Sequence, residues 1–450
     1  MKKQDEEIAT VQQPEFNFRK YSWKQFRRNK PALISLYVLL VFALIALLAP
    51  YLANERPLYA KYKGQTFYPA FTSETNYRFK DPQSGDSVNL QLDIADWKRM
   101  EFESVVWALV PWSPTTKDKA NRRWVGPGDP QRFITTAGDT LHMPSRFRHR
   151  LGTNESGEDV LAGLIHGARI SLSIGFISMG IASIIGLFLG AVAGFFGDNR
   201  LQMPRARYYM IILSVPFAWF YGFHVRAYNL SDAMAESGTS FLISLLVSIG
   251  VFILVITIFS YLGKIISKGN FLGKRITVPL DTIISRGIEI LNSIPVMILI
   301  ISLAAMVKEY SIIYVMVIIG LTSWTGIARF TRAEFLKIRS MDYISAAQVM
   351  GFPERRIIFR HALINGMAPS LVSIAFGIAA AILIESGLSF IGVGLPHDVV
   401  TWGKLLNQGR ENFHAWWLIL FPGLAIFLVV TVYNLIGEGL RDALDPKLKR

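Results

Sequence analysis

Between Pro31 and Leu52 the chain reads PALISLYVLLVFALIALLAPYL, without one charged side chain. A run of this length and polarity crosses a bilayer as a helix and has no natural place in a water-soluble core. Lipid offers no partner to backbone N–H and C=O groups, so each such run must close its hydrogen bonds internally. Eight spans are read, at about 31–52, 169–196, 207–227, 240–266, 286–307, 311–328, 367–391 and 415–437. An all-α polytopic membrane protein is therefore expected. The first run is longer than the apolar core of a signal peptide and no small-residue cleavage site follows it, so it reads as a retained span.

The net charge of +14 would fit nucleic acid on its own, but the bases stand beside the apolar runs. Lys and Arg accumulate in the cytoplasmic loops of membrane proteins, and that reading displaces nucleic acid as a partner. Residues 1–30 carry Lys20, Lys24, Arg27, Arg28 and Lys30 close to the first span, which places a cytoplasmic amino-terminal tail there. Eight spans return the tail 438–450 to the same side. Loops holding Arg200, Arg205 and Arg207, and Lys264, Lys268, Lys274 and Arg275, agree with this, as does 329–366. The short loops 228–239 and 308–310 fall outside. The long outer segment 53–168 is rich in aromatic residues, Pro and Gly, and SVNLQLDI alternates like a strand. A small, partly β cap is expected, with a helix near 154–167.

No cysteine is present, which removes disulfides and thiolate chemistry. The seven histidines are scattered, with no H-E-x-x-H pair and no G-x-S-x-G elbow. No metal site or catalytic group is therefore expected in this chain. The nearest text to a phosphate-cradling loop, GNFLGKR at Gly269 to Arg275, is one residue short between its glycines and lacks the following hydroxyl. The chain is expected not to bind ATP.

The loop 329–366 contains DYISAAQVMGFPERRIIFRHALIN. Asp342 is placed to cap a helix of about 343–350, Tyr343 and Ser345 lie in its first turn, and Ala346 and Ala347 leave room for another surface. Gly351 suits the left-handed residue that ends a helix, and Pro353 prevents simple continuation. Arg355, Arg356, Arg360 and His361 follow. Physical chemistry alone leaves two readings open: a docking helix for a soluble partner, and a solvated loop whose bases only set topology.

This segment resembles the EAA coupling motif of ABC-importer permeases, with Ala346, Ala347 and Gly351 matching, Ser345 in place of the glutamate and Ile364 in place of a common proline. HRLGTNESGEDVLAGLIHGARISLSIG resembles the stretch before the second span of C-type subunits in the dipeptide/oligopeptide (and nickel) permease family, with Asn154 and Glu158 departing from the usual residues. SWKQFRRNKPALISLYVLL, ESGLSFIGVGLPHDVVTWGKLLNQGR and FPGLAIFLVVTVYNLIGEGLRDALDPKL resemble its two ends, and YPAF and VPWSP resemble its microcin C/oligopeptide branch. The resemblance implies a type I, MetI-like permease fold in a bacterial inner membrane. Members commonly have six spans, so about 198–277 reads as an inserted helical pair within a transmembrane domain of 169–437.

The resemblance also implies the partners: a second homologous permease subunit, two ABC ATPase subunits carrying MgATP, and an extracytoplasmic binding protein that delivers a peptide. Docking of the ATPase on residues 342–356 would drive alternating access. Nickel or another small solute is the alternative cargo. An ion-coupled secondary transporter would call for internal repeats and paired intramembrane carboxylates, which are not evident. A membrane-anchored enzyme would need an organised set of side chains in 53–168, and none is visible.

Ionisable groups inside spans are costly and face protein or water. Glu289 lies one turn after Arg286, so an ion pair and a pathway lining both remain open, and Asn292 and Pro295 are positioned to bend that helix. Glu385, followed by Ser386, reads either as a helix-packing hydrogen bond or as a pathway contact. Arg169 is expected to begin the second span and to reach an interface. Gly186, Gly190 and Gly194 form a smooth strip for close helix packing.

Overall fold

A computed structural model describes residues 18–72, 75–80, 87–92, 95–135, 138–236, 238–268, 271–305, 311–394, 396 and 399–444. Residues 81–86, Gly269 of the GNFLGKR stretch, the short loop 308–310 and the basic residues Lys447, Lys449 and Arg450 lie outside the described residues. Among the described residues, seven helices are long and apolar enough to cross a membrane, or eight if one broken pair counts as a single span. The chain divides into two compact units. One comprises 1–183, 296–324 and 368–450; the other comprises 184–295 and 325–367.

In the first unit, the basic end is helical rather than a simple tail: α1 spans Phe18–Arg28 and α2 spans Lys30–Leu52. Asn29 caps α2 by accepting from the Ala32 N–H at 3.1 Å, and its amide donates to Asp442 at 3.1 Å. Asp442 belongs to the last helix, so the amino-terminal end of α2 lies beside the end of that helix.

The cap follows α2. Strands β1 (Tyr59–Tyr62) and β2 (Gln65–Phe67) form a hairpin, β3 (Asn76–Lys80) pairs with β4 (Ser87–Gln91), and β5 (Ser104–Val106) adds to β1. A last hairpin joins β6 (Arg132–Ile134) to β7 (Thr140–His142). Of the alternating stretch SVNLQLDI, Ser87–Gln91 forms a strand, while Asp93 and Ile94 lie outside the described residues. So few short strands need a dense filling, which Phe67, Leu92, Trp97 and Trp107 supply.

No separate helix forms near 154–167. Instead α3 runs unbroken over Val160–Phe196, because nothing from Val160 onward breaks the pattern. Asp159 caps it by accepting from the Ala162 N–H at 2.7 Å. Arg169 is therefore in the third turn, with its side chain exposed, and not at the helix start.

The other oxygen of Asp159 receives His149 Nδ1 at 2.8 Å, and His149 Nε2 lies 3.2 Å from Asp118. Burial pulls the imidazole pKa down, but the carboxylates of Asp118 and Asp159 outweigh it, so it sits above its ordinary value. For Asp118 burial pushes up, and hydrogen bonds from His149, Asn121 and the Ala120 N–H outweigh it, leaving the carboxyl below its ordinary value.

A raised histidine stabilises the fold fully below its unfolded pKa and loses that contribution as pH rises through the folded value. A depressed aspartate stabilises above its unfolded pKa and loses the contribution as pH falls through the folded value. Cap stability is thus expected to decline at both ends. Thermal melts across pH in wild type and His149→Asn separate the imidazole from other groups. An alkaline limb identical in both proteins would refute the assignment.

The second unit begins in the later half of α3. Here β8 (Gln202–Pro204) pairs antiparallel with β9 (Arg275–Thr277). Between them lie α4 (Arg205–Trp219), a π-helical turn at Phe220–His224, α5 (Ala227–Glu236) and α6 (Gly238–Ile266). The excursion leaves and returns through one two-stranded ribbon, at the ends assigned to the inserted pair. Much of 228–239 is helical, not the short loop expected. Lys274 and Arg275 of the GNFLGKR stretch lead into β9.

The span expected at 286–307 is broken. Its first part is α7 (Leu280–Ser293), its second is α8 (Val296–Ala305), and Pro295 lies between, unable to donate its missing N–H. The next helix, α9, covers Ile312–Ile338, so the start of the expected loop 329–366 is still helix. Asp281 of α7 and Arg332 of α9 form a two-point ion pair, Nη2 to Oδ2 at 2.7 Å. Two glycines of the strip pack closely, as expected: Gly190 lies against the Ala328 carbonyl and Thr331, and Gly194 against the Arg332 carbonyl and Phe335.

Beyond α9 come α10 (Asp342–Val349), α11 (Glu354–Arg356), a π-helical stretch Ile357–Ala362 and α12 (Leu363–Gly366). The first unit then resumes with α13 (Ala368–Ile391), α14 (Trp402–Glu411) and α15 (Trp417–Leu444). Residues 438–444 are thus the end of α15 and not a tail.

Candidate coupling surface

The short helix α10 is built against its own unit. Ile344 and Ala347 are buried with Phe195, Phe335, Ile338 and Ile357. This overturns the view that Ala346 and Ala347 share an open face. One helical position apart, they diverge: Ala347 is 3 % exposed and in the core, while Ala346 is exposed. The exposed residues of this segment are Asp342, Tyr343, Ser345, Ala346, Gln348, Val349 and Met350.

Val349 is 88 % exposed and Met350 63 %. Sequence reasoning missed both. Their signal was the spacing of three to four residues from Ser345 and Ala346, which puts them on one stripe.

Asp342 is not the cap. Met341 occupies the N-cap position in extended conformation, without a side-chain hydrogen bond, and Asp342 is the first helical residue. Its carboxylate still suits the positive end of the helix. Ser345 offers no glutamate to complete a reciprocal cap.

The other end is closed more firmly. Met350 is the C-cap and Gly351 has φ +75°. The Gly351 N–H donates to Gln348 at 2.9 Å and the Phe352 N–H to Ala347 at 3.2 Å. This is the paired hydrogen-bond closure of a Schellman motif, and Phe352 adds its hydrophobic contact against the same core.

Pro353 then starts α11 as its N-cap, with φ −64°. Arg355 and Arg356 are exposed on it. The Arg356 guanidinium lies 4.5 Å from the Phe352 ring centroid, and Phe352 stacks on His361 at 6.0 Å. Arg356 is therefore partly committed to holding the turn, while Arg355 has no such contact among the described residues.

The residues considered for a pathway fall in two separate places. On α7, Arg286 and Glu289 pair at 2.6 Å, both exposed. Asn292, also exposed, accepts from the Thr325 hydroxyl at 3.0 Å. Pro295 sits at the break.

On α13, Glu385 and Ser386 are buried. The Glu385 carboxylate accepts from Ser389 at 2.8 Å, Ser171 at 3.3 Å and Ser386 at 3.4 Å. The Ser386 backbone meets Gly403 so closely that a Cβ there would lie 2.6 Å from its carbonyl oxygen. Hydroxyls on α3 and α13 thus enclose the carboxylate, which is the geometry of a helix-packing contact. Among the described residues no group of three or more His, Asp or Glu side chains could hold a metal.

Two family models match the chain. Residues 265–450 match the binding-protein-dependent transport system inner membrane component, and residues 17–79 match the N-terminal transmembrane domain of oligopeptide transport permease C. The first stretch contains α10 and Gly351.

The inner membrane ABC transporter permease protein YejE of Escherichia coli (strain K12) is 27 % identical over 94 % of this chain and 96 % of its own length. The di/tripeptide transport system permease protein DppC of Pseudomonas aeruginosa (strain UCBPP-PA14) is 31 % identical over 72 % of this chain and 82 % of its own. The peptidoglycan transport system permease protein YejE of Agrobacterium fabrum (strain C58 / ATCC 33970) is 24 % identical over 95 % and 93 %. The MetI-like helical domain, the C-type amino-terminal region and these relatives together make this chain a member of the binding-protein-dependent ABC permease family, among its C-type subunits.

Proposed function

We propose that this chain is the transmembrane permease subunit of an ATP-driven importer of short peptides. The observation that carries the reading is the outward face of α10, from Asp342 to Met350, held rigid by Ile344, Ala347 and the Gly351 closure. A small apolar face between Ser345 and Met350, flanked by Asp342 and Arg355, suits a groove on a soluble ATPase. Two such ATPase subunits, carrying MgATP, would work with a second homologous permease subunit and an extracytoplasmic binding protein. The bases of 18–30, 264–275 and 329–366 support a cytoplasmic position for those stretches and for both chain ends, in a bacterium, with the cap outside.

In this scheme Glu289 and Asn292 are the pathway candidates, exposed in this chain next to a helix break at Pro295. Glu385 and Ser386 contribute by holding α13 against α3 and α14. Peptide as the cargo follows the names of the relatives, which include di/tripeptide and peptidoglycan transport.

The test is uptake into vesicles of the chain assembled with its partner subunits and binding protein. Labelled di- and tripeptides, peptidoglycan fragments and nickel would be offered in parallel. ATP-dependent accumulation of peptide is expected. Accumulation of nickel alone, or uptake by this chain without ATPase subunits, would overturn the reading. A single cysteine at position 355, in a chain with none of its own, should react with an impermeant maleimide only from the ATPase side.

A further inference from the structure

The cap contains a cavity of about 370 Å³, within the range of small-molecule sites. Its wall includes Glu55, Lys98, Trp112, Asp118, Arg132 and Phe133. Lys98 places its ammonium 3.1 Å from the Trp112 ring centroid. The indole is fixed from behind: it stacks on His149 with centroids 4.3 Å apart, and its N–H donates to the Phe147 carbonyl at 2.8 Å.

The carboxylates around this lysine are already engaged. Glu55 accepts from the Thr116 hydroxyl. Asp118 accepts from the Asn121 amide at 2.6 Å, the Ala120 N–H at 2.9 Å and His149. Asp96 pairs with Arg99 at 3.2 Å. Among the described residues Lys98 has no carboxylate at ion-pair distance, and neither has Arg132.

A half-buried ammonium held over an aromatic face, in a cavity that Arg132 also lines and with its neighbouring acids committed elsewhere, suits an anion. Burial lowers the Lys98 pKa to about 8, against the opposing pull of Glu55, Asp118, Asp96 and Asp159.

We propose that the cap cavity binds the free carboxyl terminus of a short peptide, with Lys98, held on the Trp112 face, as its cationic partner and the Phe133 ring as an apolar wall. The carboxylate preference rests on the cavity alone, and the peptide class rests on the transport reading above. Such a site would hold a peptide within the cap.

The experiment uses the full-length chain in lipid nanodiscs and needs no transport. N-acetyl-trialanine and its carboxyl-terminal amide are titrated by calorimetry at pH 7. Saturable binding of the acid is expected, with the amide weaker by about tenfold or more, the loss typical of a missing charged hydrogen bond. Lys98→Met should lose the preference and Lys98→Arg should keep it. Raising the pH through 8 should weaken acid binding as Lys98 discharges. Equal affinity for acid and amide, binding of neither, or an unchanged preference in Lys98→Met would overturn the proposal. The acid–amide comparison on the unaltered chain keeps the test decisive if a variant misfolds. Failure of peptide uptake in the vesicle assay, with binding here intact, would count against the transport reading and not against this site.

Discussion

Gly351→Val is expected to abolish uptake by the assembled transporter while the chain still inserts and folds. The reason is conformational. A Cβ at Gly351 would meet nothing within 4 Å, so there is no clash, but the residue stands at φ +75°. An L-residue in this left-handed region loses about 1–2 kcal/mol, and a β-branched one fares worst. Both closing hydrogen bonds, Gly351 to Gln348 and Phe352 to Ala347, depend on that conformation.

A valine therefore unwinds the end of α10, where Val349 and Met350 are presented. A strain of this size shifts the closed form by a factor of roughly 5–30. ATP hydrolysis and peptide uptake, measured together in vesicles, should separate: hydrolysis persists while uptake falls. Gly351→Asn, a residue that tolerates the left-handed region, should transport nearly as the unaltered chain does. Wild-type coupled uptake by Gly351→Val would remove the docking role from this surface.

The parts of this architecture that were legible in sequence are those set by local chemistry. Long apolar runs declare membrane helices because lipid leaves the backbone no other partner, and Gly351 followed by Pro353 declares a helix end because of its backbone freedom. Gly190 and Gly194 announced a close approach through their missing side chains. The glycine strip could not name its partner, which is the Ala328–Phe335 stretch of α9.

Most of the failures depend on contacts between distant residues. Ala346 and Ala347 look equivalent in the sequence, and only packing against Phe335 and Ile338 decides that one is core and the other surface. Asp342 has the chemistry of a cap, but the turn from α9 sets the helix start one residue earlier. The extended α3 was cut short because its first turns are less apolar than the rest. The Lys98–Trp112–His149 stack joins three remote stretches of the cap, and no spacing in the sequence foretells it.

Gly190→Leu should give the largest loss of folded protein. A Cβ at this position would lie 2.5 Å from the Ala328 carbonyl oxygen and 2.7 Å from the Thr331 Cβ. A backbone oxygen cannot swing aside as a flexible side chain can, so α3 and α9 must separate. Overpacking of this kind typically costs about 1–3 kcal/mol, and more where backbone is involved. The displaced helix is the one that carries Phe335 and Ile338, the wall against which Ile344 and Ala347 seat α10. Gly250 supplies the matched control, since a Cβ there in α6 meets nothing within 4 Å. Gly250→Leu should leave the yield and melting temperature unchanged or slightly raised, because glycine is a poorer helix former by about 1 kcal/mol. Size-exclusion profiles and thermal melts of the two variants decide the matter. If both leucines behave alike, the α3–α9 contact does not have the closeness described, and the firm seating of α10 would lose its foundation.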